Sequence, residues 1–268
     1  MRGITFDWAG VVTGQPAQWL LSGFLTTVYV TVAGCVLASA VALVVVALRL
    51  APGRVGRYAA GTFVEIFLNT PILVQMLFWY FAAYGLLPRT WRLFINADHP
   101  WAVLPVNVIV LAPEFLCAAW GLGLFTAVFL AQELRTGLNA VPKGQTEAAM
   151  AQGLSSWQTL RFVLLPQALV NAWQPLVGQY LNLMKLSSLA TGIGLAELTS
   201  QVRKIESYNA HSLEAFAVGT AIYLALGVAM GRLLLLVGPK RPDRKRSAPP
   251  ERAGALVVAS SARGSDGI

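Results

Sequence analysis

Three polar residues, Gln179, Asn182 and Lys185, recur at helical spacing inside an apolar run from about Ala168 to Leu186. Two amides and an ammonium group in one strip can hydrogen-bond and charge-pair a polar solute. Such a strip faces a bundle interior or a wet path rather than lipid. Asn69 and Gln75 offer the same chemistry from another apolar run, about Phe63 to Leu87, opposite the first. Lys185 is followed by Ser187, Ser188, Gly192 and Gly194, where the helix is expected to break. Broken backbone at membrane depth lines a cavity, and a cation beside it suits an anionic or zwitterionic solute. The alternative for Lys185 is snorkelling to the outer surface. Glu65 and Glu133 lie near the inner ends of apolar runs. Each reads as a charge reaching interfacial water, with an ion pair to Arg135 as the alternative for Glu65.

Other chemistries find no residues to carry them. The two histidines, His99 and His211, lie in separate segments beside no nucleophile motif, which argues against an intramembrane serine protease. Cys35 and Cys117 sit in apolar surroundings without ligand spacing and read as small buried hydrophobes. There is no GxxxxGK[ST] phosphate loop, so no ATP site is expected in this chain.

The elements that hold these residues are set by composition. Of 268 residues, 56% are hydrophobic and 12% charged, and mean hydropathy is +0.61. A chain of that kind cannot cover a water-facing surface with polar groups. It is expected to be an all-α, polytopic membrane protein of about five transmembrane helices. The spans fall at about 20–48, 63–87, 115–134, 168–186 and 215–237. Val103 to Ala112, cut by Pro105 and Pro113, is too short to span and reads as interfacial or re-entrant. Pro71 is expected to kink the second span. Gly227 and Gly231 form a GxxxG that lets another helix approach the fifth. Trp79, Tyr80, Tyr84 and Trp91 read as interfacial anchors. Residues 1–238 form the membrane domain, and 239–268 a basic, disordered tail.

Net charge is +8, yet the basic residues gather between apolar runs and in the tail, which fits membrane topology and not nucleic acid. With the amino terminus outside, 14 of the 20 basic residues fall inside, 5 outside, and Lys185 within a span. Without the tail the margin is seven to five, in the same direction. The amino terminus is therefore expected on the periplasmic side and the carboxyl terminus in the cytoplasm.

That orientation puts residues 139–166 in the cytoplasm, including the small-sided stretch "TEAAMAQGLSSWQ". Pro142 suits the start of a helix and Gly153 the position past its end. Ser155 with Gln158 fits a capping box, starting a second helix, "SWQTLRFVLL", that Pro166 is expected to close. Ala148, Ala149 and Ala151 give the first helix a surface able to lie in a partner's groove, and Glu147 gives it a charge to pair.

Glu147-Ala148-Ala149, Gly153, then Val163-x-Leu165-Pro166 resembles the cytoplasmic signature of importer permeases in the ATP-binding cassette class, with Val163 in place of the usual isoleucine. "FVEIFLNTPILVQ", "GLGLFTAVFLAQELRTGLNAVPKGQTEAA" and "LPQAL" resemble the polar amino acid permeases. "FDW", "GLFTA" and "ESYNAHSLEAF" are similar to the glutamate/aspartate permease subunits. The likeness runs from about Thr5 to Val237. It departs at Leu68, where the family usually has an arginine, so any ion pair made by that arginine is absent or replaced.

The resemblance implies an amino-acid importer of the bacterial inner membrane, with glutamate or aspartate as first cargo and glutamine, arginine or histidine as alternatives. It implies two ATPase subunits that bind the ATP and magnesium, a second permease (paralogue or copy) and a periplasmic binding protein. Glu147, Ala148, Ala149, Gly153 and Pro166 would then couple to the ATPase. No cofactor is expected in this chain. A secondary carrier is the rival reading, but no internal repeat supports it.

Overall fold

The computed structural model describes residues 6–51 and 53–239. Apart from Pro239, the tail expected over 239–268 lies outside them. Ala9–Val12 (α1) leads into Gly14–Leu50 (α2), whose 37 residues make a helix about 55 Å long. Its apolar residues lie on every face, as in a helix surrounded by lipid and protein. Arg54–Leu68 (α3) and Ile72–Leu77 (α4) follow, and α4 runs on through a π turn, Phe78–Ala83, and a 3-10 turn, Tyr84–Leu86.

The span expected over 63–87 is therefore not one kinked helix. Its two halves meet at 105°. Pro71 is extended, at φ −59° and ψ 135°, which ends α3 rather than bending it. The Gln75 side-chain amide donates to the carbonyls of Phe67, at 3.2 Å, and Thr70, at 2.9 Å. It thereby satisfies backbone that the break exposes. Leu68 packs against the apolar core at the end of α3.

After Arg89–Ile95 (α5) comes a small antiparallel hairpin, Val103–Leu104 (β1) with Val108–Ile109 (β2). It stands where an interfacial or re-entrant segment was expected. Val106 and Asn107 both take positive φ to make its turn.

Pro113–Asn139 (α6) is the central helix. Of its apolar stretch 67% is buried, against 39% for α2 and 0% for Ser212–Val237 (α11). Lys143–Ala151 (α7) and Ser156–Thr159 (α8) form the loop that leads to Leu165–Leu186 (α9). α6 packs along α2 on one side and α9 on the other. Gly137 permits the second contact: a Cβ there would stand 2.5 Å from the Ala168 carbonyl oxygen and 2.8 Å from the Ala172 Cβ. The GxxxG pair faces α9 of the same chain, with Gly227 over Met184 and Gly231 over Leu181.

Among the described residues, three helices are long and apolar enough to cross a membrane (α2, α6 and α11), or four if the bent α3–α4 pair is one span. The reading of about five spans also counted α9. With 22 residues α9 is long enough. Gln167, Asn171, Gln174, Gln179, Asn182 and Lys185 make it too polar to qualify by itself.

Beyond α9, Ser187–Ile193 tightens into a 3-10 helix that ends at Gly194, with φ +89°. Leu198–Asn209 (α10) then starts on Glu197. This carboxylate is fully buried. Oε1 accepts from the Thr191 hydroxyl, at 2.6 Å, and the Ser200 amide, at 2.9 Å. Oε2 accepts from the Thr199 amide, at 3.0 Å, and the Tyr223 hydroxyl of α11, at 2.6 Å. The adjacent Leu198 amide donates to Thr27 of α2, at 3.1 Å. One side chain thus ties the end of α9 to α10 and α11, beside a bond to α2. Around this junction Val11, Leu20, Leu198, Val202, Ile205 and Ala215 form a separate apolar cluster.

Replacing Glu197 with Ala takes the acceptor from four donors, of which the Tyr223 hydroxyl keeps Thr199 Oγ1, at 3.2 Å; each of the others costs about 1–3 kcal/mol if left buried without a partner. A loss of about 3 kcal/mol or more is expected, with Glu197→Gln losing less because one carbonyl acceptor remains. Thermal unfolding of the purified chain in detergent measures both. A Glu197→Ala midpoint equal to wild type would refute the assignment.

Candidate functional site

Three regions hold the residues singled out by sequence: the α7–α8 loop, the polar strip of α9 and the α3–α4 break. In the loop, α7 ends in a Schellman turn. The Gly153 amide donates to the Met150 carbonyl, at 2.9 Å, and the Leu154 amide to that of Ala149, at 3.2 Å. Gly153 has φ +83°, a conformation that favours glycine. The capping box is present: the Gln158 amide donates to Ser155 Oγ, at 3.3 Å, and the Ser155 amide to Gln158 Oε1, at 2.8 Å.

Pro166 does not close the second helix. α8 passes through a π turn, Leu160–Leu164, directly into α9. Backbone angles stay right-handed helical at Thr159, Leu160, Leu164 and Leu165. Pro166 stands directly after the π turn, and the helix runs on across its missing N–H. The π turn also widens the stretch that contains Phe162, the carbonyl a proline ring at 166 would meet in a regular α-helix. The loop's second helix and the membrane helix are therefore one continuous rod.

Glu147, Ala148 and Gly153 are exposed, whereas Ala149 is buried at 5% exposure. α7 packs back onto α8 and the π turn, so Ala149 is small for the loop's own packing, and Glu147 with Ala148 forms the outward face. Trp157 and Phe162 stand beside it, each 63% exposed, with Met150 at 50%. Sequence reasoning passed over these three. Their signal was large apolar side chains in an otherwise polar loop.

The strip of α9 does not face one way. Gln179 donates to Glu133 Oε1 on α6, at 3.4 Å. Lys185, six residues on, is rotated by about 120°. It lines a cavity of about 310 Å³ between α9, α10 and α11, together with Ser188, Thr199, Thr220 and Tyr223. Asn182 is half-buried between the two. Asn69 and Gln75 are not brought to this strip. α4 packs on α6 and on the Ser187–Ile193 turn. The Asn69 amide caps α3 through the Glu65 carbonyl, at 2.8 Å, and Gln75 bridges the break. Glu65 bonds to Asn69, at 3.4 Å, and Glu133 to Gln179. No arginine pairs with either among the described residues.

The profile of the family described as binding-protein-dependent transport system inner membrane component matches residues 31–241. The chain belongs to this family. It is a transport component, not an enzyme. The glutamate/aspartate import permease GltJ of Escherichia coli K12 is 32% identical over 222 residues, 83% of this chain and 87% of GltJ. The glutamine transport permease GlnP of the same strain is 30% identical over 229 residues, 85% of this chain and 94% of GlnP. A crystal structure of an amino acid ABC transporter with histidines shares the fold at TM-score 0.69 and 24% identity, over 87% of this chain and 98% of that one. The inward-facing MetNI methionine ABC transporter does so at TM-score 0.58 and 20% identity, over 85% and 100%.

In this inner membrane component, Glu197 is the residue that sequence reasoning missed. A single glutamate in a short segment between apolar runs carries no pattern. Only the fold shows that four donors meet it.

The capping box gives the loop a measurable stiffness. Ser155→Ala should lose about 1 kcal/mol of helix-start stability, so amides of 156–160 should exchange about fivefold faster in hydrogen-exchange measurements. Unchanged exchange would mean that the cap does not hold the loop.

Proposed function

We propose that this chain is a permease subunit of an ATP-driven importer that carries a polar amino acid, glutamate or aspartate first, across the bacterial inner membrane. The likeness to GltJ over most of both chains supports the cargo. The likeness to GlnP keeps glutamine as the second reading. The amino terminus is periplasmic and the carboxyl terminus cytoplasmic. A separate ATPase pair binds ATP and magnesium, a periplasmic binding protein delivers the amino acid, and a paralogous permease completes the pore.

The observation that carries this reading is the unbroken helical path from α8 through the π turn into α9. A load applied to α7 by the ATPase swings about Gly153 and moves α8 with α9. Glu147 and Ala148, with the exposed Trp157, meet the ATPase, and Ala149 keeps the two loop helices in contact. At the other end of α9, Lys185 faces a cavity edged by four hydroxyls. An ammonium with neutral donors suits an amino acid carboxylate. Gln179 supports Glu133, and Asn69 and Gln75 support backbone, so of the polar strip Lys185 is left to meet the solute.

Two substitutions test the two ends. A Cβ at Gly153 meets nothing within 4 Å, so Gly153→Asp strains only the backbone, by about 1–2 kcal/mol, and adds bulk at the hinge. Transport should fall at least about tenfold, and the ATPase should no longer co-purify. If both are unchanged in a folded complex, α7 is not the coupling element. Lys185→Ala should raise the apparent KM for labelled glutamate about tenfold. Full uptake with unchanged affinity removes Lys185 from the path.

A further inference from the structure

Arg49 from the last turn of α2, Arg57 from α3 and Arg135 from α6 converge on one cavity of about 510 Å³. Arg49 and Arg135 also line an adjoining space of about 310 Å³ with Gln132, Thr136 and Asn139. No aspartate or glutamate lines either space. Among the described residues the two close contacts between a basic and an acidic side chain are both those of His211, with Asp7, at 3.6 Å, and Glu214, at 3.7 Å, and none involves an arginine. Glu65 and Glu133, the nearest acids in sequence on α3 and α6, bond to Asn69 and Gln179 instead.

Membrane topology accounts for basic residues at this end of the bundle. It does not account for arginines of three separate elements lining one cavity with no acid among them. Like charges along one wall repel. An anion between them would reverse the sign of that interaction. Guanidinium forks match phosphate oxygens two at a time. The rest of the wall is largely apolar, with Val46, Leu50 and Leu138, and it sits where the membrane-crossing helices α2 and α6 end. A free phosphate has no use for such a wall, whereas a lipid brings an acyl chain to it.

We infer that this cavity binds the phosphate of an anionic phospholipid headgroup. The lipid would hold the end of α2, α3 and the end of α6 together, immediately before α7 begins at Lys143. It would thereby steady the root from which the loop projects.

The test uses the purified chain with whatever subunits accompany it, in nanodiscs of phosphatidylcholine with or without phosphatidylglycerol. Native mass spectrometry counts retained lipid, and thermal unfolding reports stabilisation. Wild type should retain phosphatidylglycerol over phosphatidylcholine and unfold at a higher temperature with it. Arg49→Gln, Arg57→Gln and Arg135→Gln together should cut that retention about tenfold or more, while Arg54→Gln, which does not line the cavity, should leave it unchanged. Equal retention by the triple variant overturns the inference, as does an Arg54→Gln effect as large as that of the triple variant. The wild-type arm does not depend on any variant folding: no stabilisation by phosphatidylglycerol overturns the inference. Stabilisation by millimolar inorganic phosphate in phosphatidylcholine, as large as that by phosphatidylglycerol, would assign the site to a free anion and overturn the lipid.

Discussion

The junction after α9 depends on one carboxylate. A helix that ends at membrane depth leaves backbone donors and acceptors that lipid cannot satisfy. Here the chain leaves α9 through a 3-10 turn and a left-handed glycine, then starts α10 within four residues. Glu197 collects the first amides of α10 and the hydroxyls of Thr191 and Tyr223. Its side chain caps the amino end of α10, taking amides that have no partner within the helix. Because Thr199 and Tyr223 are also walls of the Lys185 cavity, the same network shapes that cavity. The position of α11, whose apolar stretch is otherwise unburied in this chain, rests on the same bonds and on its contacts with α9 and α10.

Three prolines in the membrane domain behave differently for one reason. Pro71 stands where the backbone is already extended, and Gln75 takes up the carbonyls exposed there, so the helix breaks. Pro166 directly follows a π turn, and the helix continues across its missing N–H. Pro175 lies inside α9 without ending it. What a proline does is decided by where its missing hydrogen bond would have gone. The outcome at Pro166 makes the loop and the membrane helix one mechanical piece. The outcome at Pro71 makes α3 and α4 two pieces set at 105°.

Close approach of helices sets the rest of the bundle. Gly137 lets α6 touch the backbone of α9 at the loop end, and Gly227 and Gly231 admit side chains of α9 at the α11 contact. Small residues do this work in membranes because lipid supplies no hydrophobic drive between helices, and packing must supply it. The consequence is that α6 is enclosed while α11 keeps most of its apolar surface outward, available to lipid or to a second subunit of the transport system.

Composition and hydropathy by themselves determined that the chain is an all-helical membrane protein, because apolar runs of that length have no other stable form in lipid. Local chemistry determined the loop: Ser155 with Gln158 and the glycine at 153 act through bonds to residues at most five positions away, so their roles were legible. The tertiary structure alone decided the 105° break, the continuity at Pro166, the separation of Gln179 from Lys185 and the assembly on Glu197. The first two turn on how neighbouring backbone is satisfied once folded, and the last two on which group of another helix a side chain meets. A residue's partner across the bundle is a property of packing, and no spacing along the chain encodes it.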